Sequence, residues 1–342
     1  MSHDEGASLK VALVGDVMLG RLVNEVLKSL PAAYPWGDTL PLFQQADVRL
    51  CNLECAISDR GTLWSATPKV FHFRSDAKNV AVLRAAHIDA VSLANNHILD
   101  FNIEGLLDTL DILKQAGIHA SGAGITFEAA SQSTIWEVRG RKIGFIAITD
   151  NEPAWAASHT HPGTWYVPIC VQEKLAHHLF QVVQQTKAAV SYLIVSTHWG
   201  PNWGSFPLPE HLSFAHTLID HGADLIFGHS GHVVRGIELY RGKPILYCAG
   251  DFIDDYAVHE VERNDQSFLF LIELKDAYPS HLYLYPTVIR DYQARRASGD
   301  ECRAIVARMQ KLCTQLNTTT RWDTQEARLE IAMEETYKTG SS

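Results

Sequence analysis

The chain has 342 residues, of which 46% are hydrophobic and 20% are charged, a composition that is ordinary for a soluble globular protein. A formal net charge of −10, together with the lack of a Lys/Arg cluster, disfavours nucleic-acid binding through phosphate neutralisation. No apolar run is long enough to cross a bilayer. Residues 1–10 lack the apolar core of a secretory signal, so we expect a cytoplasmic protein without a membrane anchor.

Apolar runs alternate with helical patterns along most of the chain. The runs typical of buried strands cover residues 10–15, 47–50, 88–94, 118–120, 191–197, 224–227, 268–274 and 281–288. Apolar residues at helical spacing cover 19–30, 76–86, 102–117, 172–187 and 212–221. Paired runs around Arg139-Gly140-Arg141 and Arg241-Gly242 predict two β-hairpins. This β-α-β order predicts an α/β protein.

The C-terminal segment has a different pattern. Ser298 and Glu301 have the spacing of a capping box, and an apolar stripe from Cys302 to Leu316 follows at helical spacing. The stripe predicts a helix packed on the outside of the body, and residues 323–337 suggest a second helix. We therefore divide the chain into a catalytic domain, residues 8–290, and a C-terminal helical tail, residues 291–342.

Polar side chains follow five of the predicted strands at the point where each strand ends. They are Asp16; Asn52 and Glu54; Asn96, His97 and Asp100; His198; and His229 with His232. In an open α/β sheet the ligand site lies beyond the carboxyl ends of the strands. Carboxylate, amide and imidazole together suit a catalytic metal centre.

Each of these groups has a simpler explanation when it is taken alone. The turn at residues 95–97 could cap the next helix, and His198 could be a hydrogen-bonded histidine at a strand end. Five such groups in one chain favour a metal site. We predict one or two divalent ions (Mn²⁺, Zn²⁺, Fe²⁺ or Mg²⁺), with Glu54 or Asp16 as a shared carboxylate if there are two.

Five ordered blocks carry a resemblance to a known family. They are Gly15-Asp16-Val17-Met18-Leu19-Gly20, Asn52-Leu53-Glu54, Ala94-Asn95-Asn96-His97-Ile98-Leu99-Asp100, His198-Trp199-Gly200 and Gly228-His229-Ser230-Gly231-His232-Val233. Across residues 8–290 the chain resembles the CapA, or poly-γ-glutamate capsule-synthesis, family, which is similar to the calcineurin-like metallophosphoesterases. The resemblance implies a four-layer α/β/β/α sandwich with a two-metal site, to which this chain adds its C-terminal helical appendage.

The resemblance also implies a role for each matched residue. Asp16 and His232 would bind the first metal, and Glu54 would bridge the two ions. The second metal would take the side chains of Asn96, His198 and His229. His97 would donate a proton to the leaving group and would be held by Asp100, so the catalytic group would be His97, Asp100 and Asp16.

Three positions depart from what is usual in such proteins. Met18 stands where phosphoesterases place a histidine, as in other CapA-type chains, which argues against ordinary phosphatase chemistry. Arg235 and Asp251 stand where Gln and Asn are frequent, and both put charge near the predicted pocket.

We assign Arg235, Trp199 and Asn52 to substrate binding. A guanidinium can clamp a carboxylate or a phosphate with two hydrogen bonds. The alternative for Arg235 is an ion pair with Glu238 or Asp251, and the alternative for Trp199 is core packing.

These residues allow three functions. The first is a metal-dependent hydrolase that acts on a phosphoester or an amide (γ-glutamyl-like) bond of an anionic small molecule or peptide. The second is a metal-dependent peptide epimerase, since some lasso-peptide epimerases are similar to this fold. The third is a non-catalytic accessory of poly-γ-glutamate synthesis. The sequence leaves the metal, the substrate and the oligomeric state open.

Overall fold

The larger of the two main sheets contains the first strand of the protein at its centre. The structure, a computed structural model, describes residues 8–275 and 278–333. Within these residues the strand order is Arg321–Asp323, Arg328–Ala332, Tyr278–Arg290, Gln266–Lys275, Leu9–Val17, Val48–Leu53, Ala90–Ser92 and His119–Ser121, with Asp251–Ile253 also beside Leu9–Val17 and Gln293–Arg296 beside Tyr278–Arg290. The four strands from Leu9–Val17 to His119–Ser121 are parallel, so their carboxyl ends meet at one edge.

The smaller sheet lies against the larger one and repeats this arrangement. Its order is Ile237–Tyr240, Lys243–Leu246, Leu225–His229, Tyr192–His198, Arg141–Thr149 and Thr134–Val138. The four inner strands are parallel, and the two outer strands come from the two predicted hairpins. Two short ribbons pair Ala56–Ile57 with Arg74–Ser75 and Ala123–Gly124 with Gly163–Thr164.

Helices cover the outer face of each sheet, except for the last helix of the chain, which packs on the core between the sheets. The α-helices are Arg21–Val26, Leu40–Phe43, Val80–Ala85, Asn102–Gln115, Phe127–Ala130, Lys174–Ala189, Pro209–Asp220 and Gly299–Gln315, and the 3₁₀ helices are Tyr34–Thr39, Ala77–Asn79 and Pro153–Trp155. Asn102–Gln115 packs on the large sheet through Leu106 and Leu113, and Lys174–Ala189 packs on the small sheet through Leu179 and Val183. Among these described helices none is long and apolar enough to span a membrane.

The central strand explains why the first apolar run has no polar alternation. Val11 and Leu13 face the core between the two sheets, whereas Ala12 and Val14 face the outer core under the helices. A strand that is buried on both faces needs apolar residues at every position. The predicted four-layer α/β/β/α sandwich is confirmed.

The C-terminal segment is part of this sandwich rather than a helical appendage. The first predicted helix forms as Gly299–Gln315, and its Ile305 and Met309 lie in the core between the sheets. The predicted helix over residues 323–337 is wrong where the chain is described, because Arg321–Asp323 and Arg328–Ala332 are strands of the large sheet. Buried Leu329 and Ile331 alternate with polar neighbours, the period of a strand. Residues 334–337 lie outside the described residues.

Candidate metal centre

The predicted ligands lie where the parallel strands of both sheets end. Asp16 is the second-to-last residue of the strand Leu9–Val17, and Glu54 directly follows the strand Val48–Leu53 in the large sheet. His198 and His229 end adjacent strands of the small sheet and are paired in register. All four side chains are buried, so carboxylates from one sheet face imidazoles from the other in the interior of the sandwich.

Gly15 places a further carboxylate beside Asp16. A Cβ at Gly15 would lie 1.8 Å from the carbonyl oxygen of Gly250, so only glycine permits this approach of the two backbones. The amide of Asp16 donates to that same carbonyl at 3.0 Å. As a result Asp251 is the direct neighbour of Asp16 across two parallel strands.

Two overlapping groups of ligand atoms share Asp16. The ligand atoms of Asp16, Glu54 and His198 all lie within 4.8 Å of one another, and those of Asp16, His232 and Asp251 do the same. The remaining two predicted ligands contact members of these groups. Nδ1 of His229 lies 3.4 Å from Oδ1 of Asp16, and Oδ1 of Asn96 lies 3.0 Å from Nε2 of His198. The structure therefore brings all six predicted ligands together, while their role as ligands stays a prediction.

Three carboxylate oxygens at this centre are buried without a hydrogen-bond partner. They are Oδ2 of Asp16, Oε1 of Glu54 and Oδ2 of Asp251. An unpartnered buried acceptor is unfavourable and is rare in folded proteins. A divalent cation would satisfy such atoms, and carboxylate, amide and imidazole donors suit ions of the Mn²⁺ to Zn²⁺ series. The residues present therefore fit a metal centre.

Burial and neighbouring charges shift the pKa values of the carboxyl and imidazole groups at this centre. Burial, reinforced by the charge of Asp16, raises the pKa of Glu54 well above its usual value. Burial and the neighbouring Asp254 do the same to the pKa of Asp251. Burial also opposes ionisation of Asp16, but the His229 imidazole outweighs it and lowers the pKa of Asp16. Burial lowers the pKa of His198 to about 3, which keeps the imidazole neutral, the form that binds a metal.

Asn52 supports the carboxylates of the centre. Its Nδ2 donates to Oδ1 of Asp16 at 2.8 Å and to Oε2 of Glu54 at 3.2 Å. Its Oδ1 accepts from Nδ2 of Asn95 at 3.1 Å, and the side chain is fully buried. Asn52 thus positions the carboxylates of the centre, and its predicted contact with the substrate stays a prediction.

His97 and Asp100 form an oriented pair beside the centre. Nδ1 of His97 lies 2.6 Å from Oδ2 of Asp100, and Nε2 lies 3.9 Å from Oε1 of Glu54. The imidazole stacks on the ring of Phe73 with a centroid distance of 3.9 Å. Burial and the nearby Lys69 lower the pKa of His97 well below its usual value. The neutral ring thus directs one nitrogen at the carboxylate of Asp100 and the other toward the centre.

Lys69 is a residue of this site that the sequence analysis missed. Its Nζ donates to the carbonyl oxygen of Asn96 at 2.5 Å and lies 3.4 Å from Oδ1 of Asp100 and 3.3 Å from Oε1 of Glu152. It also lies 4.8 Å from the ring centroid of Trp155, and its side chain is only 6% exposed. Lys69 follows neither a strand nor a helical pattern, so nothing in the local sequence singles it out.

A cleft of about 470 Å³ gives access to the centre. Asn96, His97 and His232 line it next to the metal ligands. Farther out, the guanidinium of Arg21 lies between 5.4 and 5.9 Å from the ring centroids of Phe71, Phe73 and Tyr256. The cleft therefore combines a wall of cationic and aromatic side chains with the oriented imidazole of His97.

Arg235 does not line this cleft. The residue is 1% exposed, and its Nε donates to the carbonyl oxygen of Gly204 at 3.0 Å. Its Nη2 donates to the carbonyl oxygen of Pro201 at 2.9 Å and to that of Trp203 at 3.4 Å. The predicted contact between Arg235 and the substrate is wrong, since the guanidinium holds the loop that carries Trp203 into the cleft.

Trp199 is also a core residue. It is fully buried, its Nε1 donates to the carbonyl oxygen of Tyr247 at 3.0 Å, and its ring stacks on His211 at 4.9 Å. The predicted substrate contact of Trp199 is wrong because the side chain points into the outer core between the small sheet and its helices.

We expect Arg235→Met to destabilise the fold by about 1–3 kcal/mol, because the carbonyl groups of the loop lose a charged donor. The measurement is the free energy of unfolding in urea. Arg241→Met is the matched control, because Arg241 is exposed. Its contacts with Asp220 and with the ring of Tyr240 lie at the surface, where such contacts contribute little. Equal stability of both variants would contradict the structural role of Arg235.

The fold and the centre define a four-layer sandwich with a candidate metal site at one edge of its two sheets. The sequence profile of the family described as bacterial capsule synthesis protein PGA_cap matches residues 10–256. The chain belongs to this family, as its five blocks predicted.

Two relatives in sequence agree with this assignment. A probable polyglutamine synthesis accessory protein of Mycobacterium tuberculosis is 35% identical over 84% of this chain and 87% of its own length. The capsule biosynthesis protein CapA of Bacillus anthracis is 26% identical over 85% of this chain and 70% of its own. Among solved structures, a novel phosphatase from Mycoplasma pneumoniae is 13% identical with a TM-score of 0.47, and the match covers 85% of this chain and 92% of the other.

Proposed function

We propose that this chain is a divalent-metal-dependent hydrolase of the CapA type that cleaves a phosphoester or an amide, γ-glutamyl-like, bond in an anionic substrate. The observation that carries the proposal is the oriented pair of His97 and Asp100 in a cleft beside the candidate metal ligands. A protein that only binds a polymer has no need for an imidazole fixed at one nitrogen and directed at the centre with the other.

The residues would divide the work as follows. Asp16, Glu54, Asn96, His198, His229 and His232 would hold the ions. When bound, divalent ions lower the pKa of water and stabilise negative charge on substrate oxygens. Asp100 keeps the Nδ1 proton of His97 in place, so Nε2 is unprotonated. Nε2 would take up the proton that the attacking water releases and pass it to the leaving group.

The cleft supports an anionic substrate without any contribution from Arg235. The charge of Lys69 is balanced by Asp100 and Glu152, so Lys69 serves mainly to organise the site. The side chain of Arg21 is 36% exposed and is held by Asp255 on one side. A substrate carboxylate or phosphate that enters the cleft would meet this guanidinium first.

A second candidate is peptide epimerisation, and one observation favours it. The buried His97 has a lowered pKa, so its Nε2 is a free base next to the centre. A base in this position could remove the proton from a Cα whose carbonyl group is polarised, with no leaving group involved. Hydrolysis and epimerisation thus use the same residue on different bonds.

The experiment that tests the proposal uses the full chain loaded separately with Mn²⁺, Zn²⁺ and Fe²⁺. Each form is incubated in D₂O with p-nitrophenyl phosphate and with oligo-γ-glutamate, and the products are analysed by mass spectrometry. We expect bond cleavage that His97→Gln lowers by roughly 10²–10⁴-fold, the usual contribution of a general acid or base.

The other outcomes separate the alternatives. Deuterium at Cα without cleavage would replace the hydrolase with the epimerase. Binding of oligo-γ-glutamate with neither cleavage nor exchange, in every metal form, would favour the accessory role that the name of the Mycobacterium tuberculosis relative describes.

A further inference from the structure

We infer that Asp251 is a direct ligand of the cation held by Asp16 and His232, so that this half of the centre binds its ion through two carboxylates and one imidazole. The inference concerns metal binding and is independent of the reaction proposed above. No matched block of the sequence contains Asp251, and it follows from three features of the structure.

The first feature is the backbone register that brings Asp251 to the centre. The strand Asp251–Ile253 runs parallel to Leu9–Val17, and Asp16 is paired directly with Asp251. The close approach at Gly15 and Gly250 fixes this pairing. The position of Asp251 is therefore set by main-chain contacts and does not depend on a flexible side chain.

The second feature is the difference in hydrogen bonding between the two carboxylate oxygens of Asp251. Oδ1 lies 3.0 Å from Nδ1 of His232, a contact that would orient the ring. Oδ2 is buried and has no hydrogen-bond partner, and the side chain is 0% exposed. Orientation of His232 explains only Oδ1. A bound cation would also explain Oδ2, and so would a proton shared with the neighbouring carboxyl group of Asp254, which the titration with Mn²⁺ below distinguishes.

The third feature is that the position two residues after Asp16 supplies no ligand. Met18 is buried, and its Sδ accepts from the amide of Gly20 at 3.0 Å, so the sulfur turns into its own loop. Asp16 and His232 alone would be a sparse ligand set. Asp251 adds an anionic oxygen within 4.8 Å of the ligand atoms of both, and carboxylate oxygen suits a hard ion such as Mn²⁺ or Mg²⁺.

The test uses Mn²⁺ as the probe and isothermal titration calorimetry of the metal-free full chain. Asp251→Asn keeps an oxygen that can accept from His232 and nearly the same volume, but it loses the anionic ligand. We expect one class of Mn²⁺ sites to weaken by on the order of 100-fold or more, beyond the 10–100-fold that is typical for loss of an orienting partner. Asp251→Glu, which keeps the carboxylate, should lose less affinity than Asp251→Asn.

Thermal unfolding of the same variants is a second measurement. The difference in stability between the wild type and Asp251→Asn should change sign when Mn²⁺ is added. Without metal, Asp251→Asn should be at least as stable as the wild type, because it removes one carboxyl group from a buried cluster that also contains Asp16, Glu54 and Asp254. With Mn²⁺, the wild type should gain more stability than the variant, because only its full ligand set binds the ion tightly.

Two results would overturn the inference. One is Mn²⁺ binding by Asp251→Asn with the affinity and stoichiometry of the wild type, which would leave Asp251 as an orienting residue only. The other needs no variant: an anomalous peak of Mn²⁺ in wild-type crystals that contacts Asp16 and His232 but not Oδ2 of Asp251. If the chain binds Mn²⁺ through Asp251 and cleaves nothing, this inference stands and the proposed hydrolase fails.

Discussion

Glu54→Gln and His97→Gln are expected to impair function in two different ways. Glu54→Gln should lose metal and activity together, because Glu54 belongs to the group of atoms that lie within 4.8 Å of one another around Asp16. Its unpartnered Oε1 would be replaced by an amide, a weaker ligand. His97→Gln should retain the metal and lose turnover, because Nε2 of His97 lies 3.9 Å from the nearest carboxylate oxygen of Glu54 and the ring is held by Asp100 instead.

The measurement is the metal content of each purified protein by inductively coupled plasma mass spectrometry, followed by turnover of the substrate that the screen identifies. For His97→Gln we expect wild-type metal content and a kcat that is lower by roughly 10²–10⁴-fold. The assignment of ligand and proton carrier would be reversed by a His97→Gln protein that is free of metal beside a Glu54→Gln protein that keeps it.

Much of this centre could be predicted because its residues follow buried strands. The run before Asp16 is apolar from Val11 onward, and the run before His198 is apolar from Tyr192 to Val195, since both strands are covered on two faces. Chain order then places the carboxyl ends of parallel strands at one edge. The order of strands and polar residues in the sequence is therefore enough to predict that these side chains lie close together, and the structure brings them together.

The position of Trp199 in the outer core follows from the geometry of the strand that precedes it. Successive side chains of a strand point to opposite faces, and the strand Tyr192–His198 directs His198 at the centre. The next residue therefore turns toward the outer layer, where Trp199 packs on His211. A tryptophan directly after a ligand histidine is better read as core packing.

The roles of Arg235 and Asp251 could not be predicted from local sequence. Arg235 donates through Nε and Nη2 to carbonyl groups of residues 201–204, more than thirty positions away along the chain. Asp251 reaches the centre through a pairing with the first strand of the protein. Long-range register and loop conformation decide both cases, and neither leaves a periodic signal in the sequence.

Lys69→Met is expected to lower the stability of the protein by about 3–5 kcal/mol, the usual result of removing one partner from a buried ion pair. Asp100 is fully buried. It would keep only His97 and the amide of Phe73, which donates to its Oδ2 at 2.7 Å. Glu152 and the carbonyl group of Asn96 would also lose their contact with the ammonium group.

The matched control is Lys28→Met, because Lys28 pairs with Glu25 on the surface, where the loss should be within about 1 kcal/mol. Both free energies of unfolding are measured in urea on metal-free protein. Similar losses in the two variants would show that Lys69 does not stabilise the site.

The cost of Lys69→Met should also grow with pH. Burial raises the pKa of Asp100 to about 7 even though the ammonium of Lys69 opposes the rise, whereas an unfolded aspartate titrates near 4. Between these values the unfolded chain has released this proton and the folded chain retains it, so the contribution of Asp100 to stability falls as pH rises. Without Lys69 the pKa of Asp100 should rise further, and the fall should continue to higher pH. The difference in the free energy of unfolding between wild type and Lys69→Met is therefore expected to be larger at pH 8 than at pH 5. A difference that is constant with pH would show that the titration of Asp100 does not cause the loss of stability.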